Sequence, residues 1–122
     1  MLTAIRAEVP EPNLTLNVGM ITGGAEAALA ADQAHVSAMG KTNIIAAKAL
    51  ARGDLRTLSP EQNTRAQQRM QAIVAQNLPG TRARISFHES YPPMAPTPGN
   101  FKLLDAYARA SQDLGLGPVV AF

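Results

Sequence analysis

The stretch T-N-I-I-A-A-K-A-L-A-R-G-D-L-R, from Thr42 to Arg56, is the segment around which the rest of the sequence is organised. Its alternate positions form one apolar face and one charged face. The apolar face consists of Ile45, Ala47, Ala49, Ala51, Gly53 and Leu55, and the charged face carries Lys48, Arg52, Asp54 and Arg56. Such alternation is typical of a half-buried strand whose charged side faces water or a ligand. We therefore predict one long strand over residues 42–56, with a bulky element packed on its small apolar residues.

The composition predicts a small domain that gains stability from a partner. The chain has 122 residues, enough for one small domain. Aromatic residues make up only 4% and Trp is absent, so the core must be built from small aliphatic side chains. Each of these buries little area, and burial stabilises by about 25 cal/mol per Å². We expect a marginal monomer.

The charge pattern argues against nucleic-acid and membrane partners. Eleven Lys and Arg residues against nine Asp and Glu residues give a net charge of +2, with the signs interspersed. Nucleic-acid-binding domains usually show a concentrated basic stripe. RNA binding through Arg82 and Arg84 is kept as a weaker alternative. No apolar run approaches the roughly 18 residues of a membrane-spanning helix, and no signal-type segment opens the chain. Localisation stays unassigned.

Three further strands are predicted from shorter alternating runs. Residues 14–21 place Leu14, Leu16, Val18 and Met20 on one face, and Gly23-Gly24 breaks or bulges this strand. Residues 35–39 form a short strand closed by Gly40. Residues 81–87 alternate again, with Ala83, Ile85 and Phe87 facing inward.

Three helices are predicted. The first is short, within residues 1–9, and is stopped by Pro10 and Pro12. The second begins at a capping box, Ser59-Pro60-Glu61-Gln62, and ends at Pro79-Gly80. Its apolar stripe is Ala66, Met70, Ile73, Val74 and Leu78. The third follows a proline-rich connector over 91–99. Its stripe is Phe101, Leu104, Tyr107, Ala108, Ser111 and Leu114.

This order of elements predicts an α+β fold, an antiparallel sheet with helices on one face, plus a C-terminal helix. Taken as a ferredoxin-like β-α-β-β-α-β unit, its first strand and most of its first helix would precede Met1.

An ordered set of motifs resembles a known family. The set is L-T-L-N-V-G-M-I-T-G-G (14–24), T-N-I-I-A (42–46), A-R-G-D-L-R-T-L-S-P-E-Q (51–62), Y-P-P-M-A-P-T-P-G-N (91–100) and D-L-G-L-G (113–117). It resembles the dimerisation, or lid, domain of the zinc-dependent metallopeptidases of family twenty, which include glutamate carboxypeptidases, aminoacylases and succinyl-diaminopimelate desuccinylase. The resemblance implies a lid over residues 1–93, truncated at its N-terminal end. Residues 94–122 would be the connector and the first returning helix of a catalytic domain.

The resemblance also implies a function. Lids of this family pair to form a homodimer and help grip the carboxylate of a small-molecule or peptide substrate, while a catalytic domain with two zinc ions hydrolyses the amide bond. Arg56 matches the Arg that ends the family's D-[LV]-R element, and Asn43 matches the Asn of its N-[IV]-[IV]-P element. Ala46 departs from that pattern, because the usual Pro is absent. The family's lid histidine has no counterpart in this chain.

The spacing of these two residues adds a geometric constraint. They are thirteen positions apart (56 − 43), so on a regular strand they would face opposite sides, about 43 Å from each other. One small carboxylate could not contact both. Either a bend intervenes, or one of the two residues serves the site of a second subunit.

No catalytic or metal-ligating set is found in the sequence. His35 and His88 stand alone on predicted strands, without ligands at zinc spacing. There is no H-x-D, no paired Glu-Glu, no Cys and no Ser/His/Asp set. We expect this chain to be inactive alone, with zinc bound by a catalytic domain outside it. The alternative is a standalone α+β interaction module without catalytic activity.

Overall fold

The computed structural model describes residues 1–88 and 91–121, which form three helices and four strands. In chain order the elements are α1 (Leu2–Glu8), β1 (Thr15–Gly24), β2 (Glu26–Leu29), β3 (Val36–Met39), β4 (Lys48–Arg56), α2 (Pro60–Ala75) and α3 (Pro98–Asp113). β1 pairs with β4 and β2 pairs with β3, both antiparallel. The predicted α+β class, with antiparallel sheets and a C-terminal helix, is confirmed.

The predicted long strand is shorter than expected. Only Lys48–Arg56 is a strand, and residues 41–47 form a loop that contains a turn closed by Ile44 N–H and the carbonyl of Lys41, 3.2 Å apart. The alternation before Lys48 does not reflect burial, since Ile45 is 92% exposed. The prediction of one strand over residues 42–56 is therefore wrong. Ala47 N–H still donates to the Gly24 carbonyl at 2.9 Å, but residues 42–46 have no strand partner in the described chain.

β1 contains a bulge that changes which side chains share a face. Its pairing runs from Thr15 opposite Arg56 to Gly24 opposite Lys48, and the register shifts between Val18 and Met20. The extra residue reverses the alternation. Ile21 therefore shares a face with Val18, and Met20 lies opposite Arg52. The predicted apolar face containing Met20 is wrong for this reason, and the strand continues through Gly24.

The β2–β3 hairpin folds back over the β1–β4 sheet. Arg52 Nη1 donates to the carbonyl of Gln33, at the hairpin tip, at 2.6 Å. In a straight ribbon these groups would be far apart, because Lys48 to Arg52 alone spans about 13 Å at about 3.3 Å per residue. The hairpin therefore covers the face that carries Arg52. The alternation of exposure agrees, since Met20, Thr22 and Leu50 are half-buried and Ile21, Ala49 and Ala51 on the opposite face are exposed.

The core lies between α1, α2 and the other face of the sheet. Its buried residues are Ile5, Val9, Ala66, Met70, Ile73 and Val74, and Leu14, Leu16, Leu55, Ile85 and Phe87 pack partly buried against them. Four of the five predicted α2 stripe residues are thus confirmed. The predicted cover of the small β4 face is wrong for Ala49, Ala51 and Gly53, which are exposed. Only Leu55 at the end of that face reaches the core.

Capping contacts fix the beginning of α2. Ser59 Oγ accepts a hydrogen bond from the backbone N–H of Gln62 at 3.2 Å. The side-chain amide of Gln62 accepts from the Leu58 N–H and donates to the carbonyl of Pro12. Glu11, in the α1–β1 connection, bonds both Arg65 and Arg69 of α2. The Arg65 hydrogen bond is the main cause of the lowered pKa of Glu11. These contacts join the two helices at one end of the core.

The end of α2 differs from the prediction. The helix stops at Ala75, and the segment around Pro79-Gly80 is a turn in which Thr81 N–H donates to the Leu78 carbonyl and Gly80 has a φ of 78°. Leu78 is 75% exposed, so its assignment to the buried stripe is wrong. The turn carries it away from the helix face that meets the core.

Residues 81–87 form no strand. Ile85 and Phe87 pack against the core, as the alternation predicts, but Ala83 is exposed and its predicted inward position is wrong. No strand within residues 1–88 or 91–121 pairs with this segment. The strand prediction is therefore wrong for the described chain, because a strand requires a hydrogen-bonded neighbour as well as an alternating pattern.

α3 is a well-capped helix with an exposed apolar side. Thr97 Oγ1 caps its first turn, and its end forms a Schellman motif in which Leu116 N–H donates to the Ser111 carbonyl and Gly115 has a φ of 73°. Phe101, Tyr107 and Leu114 of the predicted stripe are exposed. In the described residues α3 has at most slight contact with the other helices and strands. No described helix has the length and apolarity needed to cross a membrane.

Candidate functional site: the open polar face

Half of one sheet face is left uncovered by the β2–β3 hairpin. We call this half the open polar face. It consists of two cross-strand pairs, Thr15 opposite Arg56 and Asn17 opposite Asp54. All four residues are exposed. The core lies on the opposite side of the sheet, where Leu16 and Leu55 pack against it.

Arg56 is the main charged group of the open polar face. Its side chain is 80% exposed, and its Nε donates to Asp54 Oδ2 at 2.6 Å. This bond holds one edge of the guanidinium along β4. A planar guanidinium offers further N–H donors that match the two oxygens of a carboxylate. The arrangement can therefore bind an anion from solvent after little rearrangement.

Asn43 lies away from Arg56. It is an exposed residue of the loop that precedes β4, whereas Arg56 is the last residue of that strand. The strand between them spans about 26 Å at about 3.3 Å per residue. Asn43 lies outside the strand, so it does not share the alternation of faces along β4. The two predicted site residues nevertheless lie at opposite ends of β4 and are not brought together within one chain.

Sequence reasoning missed three members of this surface. The sequence places Asp54 on the charged face of the predicted strand without giving it a role, and it does not single out Thr15 and Asn17. The pairing register brings Thr15 and Asn17 beside the β4 charges, and a hairpin alignment of the two strands could have revealed it. Arg52 was also expected on the same charged face. There it is half-buried under the hairpin and bonded to Gln33.

The described residues do not fit a metal site. Among residues 1–88 and 91–121 no three His, Cys, Asp or Glu side chains come together in a group able to hold a metal ion. His35 Nδ1 instead lies 2.6 Å from Asp32 Oδ2 in an exposed turn. The pKa of Asp32 is lowered, mainly by the hydrogen bond from the Ala34 amide and next by the one from the His35 side chain.

The fold and its register point to a class of protein, an α+β domain with a helix-covered face and a polar face open to a ligand. The family model of the peptidase dimerisation domain matches residues 1–82. The chain therefore belongs to the peptidase dimerisation-domain family, of the M20 type. No curated protein and no solved structure matches it. Membership makes the chain part of a peptidase family whose domain self-associates.

Proposed function

We propose that this chain is the dimerisation and substrate-carboxylate-binding portion of a zinc-dependent peptidase or amidohydrolase that cleaves amide bonds of amino-acid derivatives. The observation that carries the proposal is the exposed guanidinium of Arg56 on the open polar face of a peptidase dimerisation domain. Zinc and the general base would be supplied by polypeptide outside this chain. The chain itself supplies binding and assembly.

Arg56 is suited to bind a free carboxylate. Its guanidinium is held by one bond to Asp54, which leaves other donors directed toward solvent. A charge-assisted, bidentate contact contributes more than a neutral hydrogen bond, about 1.5–3 kcal/mol. Substrates with a free carboxylate would be favoured over their amides by this contact.

Asn43 is proposed to serve the site of the partner subunit. Its distance from Arg56 along β4 prevents one small molecule from contacting both within a chain. In a two-fold dimer each subunit gives Arg56 to one site and Asn43 to the other, so Arg56 of one subunit and Asn43 of its partner can meet at one substrate.

Two uncovered surfaces support the proposal that residues 1–93 are a lid lacking its first strand and most of its first helix. Residues 81–87 point apolar side chains to the core without a pairing neighbour in the described chain. The sheet face next to the core is bare beyond α1 and α2, where Ile21 is 66% exposed. A strand and further helical turns before Leu2 would cover both. Residues 94–122, with α3 exposed on its apolar side, would enter the catalytic domain.

Subunit complementation tests the proposal in the full-length protein. Arg56→Ala and Asn43→Ala homodimers should each be impaired. Mixed dimers would contain one site with both residues intact, so random exchange should restore about a quarter of the parent activity. Arg109→Ala, at an exposed position on α3, is the control and should act like the parent. No recovery in verified mixed dimers, or a monomer by light scattering, would contradict the proposal.

A further inference from the structure

The β2–β3 hairpin covers the part of the polar sheet face that the candidate site leaves out. We propose that this hairpin is a flap that Arg52 holds closed through the backbone carbonyl of Gln33. The proposal does not depend on the carboxylate-binding role of Arg56. It concerns a second arginine of β4, Arg52, which is bonded to Gln33, nineteen residues earlier in the chain.

The tip of the flap is built to present this carbonyl. Asp32 Oδ1 accepts hydrogen bonds from the Ala34 and His35 amides, at 2.9 and 3.3 Å. The Gln33 amide donates to the carbonyl of Ala30 at 2.9 Å. Gln33 has a φ of 57°, a left-handed backbone conformation that residues other than Gly, Asn and Asp rarely adopt. These local hydrogen bonds stabilise the turn without using the Gln33 carbonyl. That carbonyl is therefore available to accept the hydrogen bond from Arg52.

The base of the flap is a tight crossing of two backbones. A Cβ on Gly24 would lie 2.6 Å from the carbonyl oxygen of Met39, and a Cβ on Gly40 would lie 3.3 Å from the Ala25 nitrogen. Lys48 Nζ and Glu26 Oε2, 2.5 Å apart, join the two ribbons at this same end. The flap is thus anchored at its base, and a change of angle there would move the tip most.

Little apolar packing holds the flap down. None of residues 25–40 is buried, and beneath them Met20, Thr22 and Leu50 are only half-buried. Among the described residues, the hydrogen bond from the Arg52 guanidinium is the one charge-assisted contact between the tip and the β1–β4 sheet. Such bonds are stronger than neutral ones. Arg52 therefore decides whether the tip stays on the sheet.

Opening the flap would change the polar face. Arg52, Asp54 and Arg56 alternate along β4 and project from the same side of the sheet. In the closed form the guanidinium of Arg52 is bonded to the Gln33 carbonyl, whereas the side chain of Arg56 is exposed. In the open form two guanidinium groups would face solvent on either side of Asp54.

Pulsed electron spin resonance on the 122-residue chain tests the latch. The chain contains no Cys, so spin labels can be placed at Ala34→Cys in the flap and Gln68→Cys on α2. When the doubly labelled chain is diluted into an excess of unlabelled chain, so that distances within one subunit are measured, the parent should give one main distance. Arg52→Met should give a second, open population, with the open fraction raised about tenfold, which corresponds to loss of one charge-assisted hydrogen bond.

Three matched variants sharpen the result. Gln33→Gly keeps the carbonyl and suits the left-handed φ, so the flap should stay closed. Arg52→Lys keeps a cationic donor and should stay mostly closed. Arg109→Met removes an exposed arginine on α3 and should match the parent. An Arg52→Met distribution identical to the parent would overturn the proposal, as would opening by Gln33→Gly equal to that by Arg52→Met.

Discussion

Arg56 Nε lies 2.6 Å from Oδ2 of Asp54, two residues earlier on the same face of β4. Both side chains of this ion pair are exposed, that of Arg56 by 80% and that of Asp54 by 59%. It orients the arginine in the absence of a ligand and also competes with any carboxylate that binds there. Removing the Asp54 charge would therefore weaken carboxylate binding if orientation dominates and strengthen it if competition dominates.

Asp54→Asn should strengthen carboxylate binding at Arg56, because removing the competing charge should matter more than losing its orienting contact. An exposed ion pair contributes only about 0.2–1 kcal/mol, and the amide of Asn can still accept a hydrogen bond. In the full-length enzyme Asp54→Asn should lower the inhibition constant of a simple carboxylate by up to about fivefold. Asp105→Asn on α3 is the matched charge control. Weaker carboxylate binding in Asp54→Asn would show that orientation matters more.

The register of the β1–β4 ribbon depends on the absence of a side chain at Gly53. A Cβ there would lie 2.2 Å from the backbone oxygen of Asn17, so the strands would have to move apart. Gly53→Ala should destabilise the fold by about 1–3 kcal/mol, measured from urea unfolding. Gly19→Ala is the control, because its nearest neighbour is a side-chain atom at 3.7 Å. Equal unfolding midpoints for the two variants would refute this account of the ribbon.

Acid should weaken the contact between the α1–β1 connection and α2. The Glu11 side chain is only 18% exposed, and Arg65 lowers its pKa in the folded state. A lowered folded-state pKa means that the stabilisation is present above the unfolded-state pKa and is lost as the pH falls through the folded value. Glu11→Gln should therefore flatten the loss of stability between about pH 5 and about pH 2, the region in which carboxylates titrate.

Urea midpoints measured across that range check the prediction for Glu11. Glu8→Gln, at an exposed position at the end of α1, should keep the parent's pH dependence. Asp32 and Glu61 also have lowered pKa values and should leave some acid sensitivity in both variants. An acid limb in Glu11→Gln as steep as in the parent would exclude Glu11 as a source of this sensitivity.

The features that sequence predicted well are those with local causes. Ser59, Pro60 and Gln62 determine the start of α2 through bonds within one turn, and the three-four spacing of Ala66, Met70 and Ile73 identifies its buried face. The start of α3 also has a local cause, the Thr97 cap, but the prediction placed residues 91–99 in a connector. These signals need no knowledge of the rest of the chain.

The features that sequence did not predict depend on distant partners. Residues 42–46 alternate like a strand but have no strand partner in the described chain, and the bulge at Gly19 is visible only when β1 is aligned with β4. The latch between Arg52 and Gln33 requires the hairpin to fold back over the sheet. For the candidate site, Arg56 was selected by resemblance, while its setting beside Asn17 and Asp54 follows from the register.

The most direct test of the central claim is a comparison of two substrates in the full-length enzyme, one with a free carboxylate and the other with the matching carboxamide. The ratio of their kcat/KM values isolates the carboxylate contact. Arg56→Ala should reduce this ratio by about 10- to 150-fold, which corresponds to about 1.5–3 kcal/mol, mainly by slowing hydrolysis of the carboxylate substrate. A ratio unchanged from the parent enzyme would show that Arg56 does not bind the substrate carboxylate.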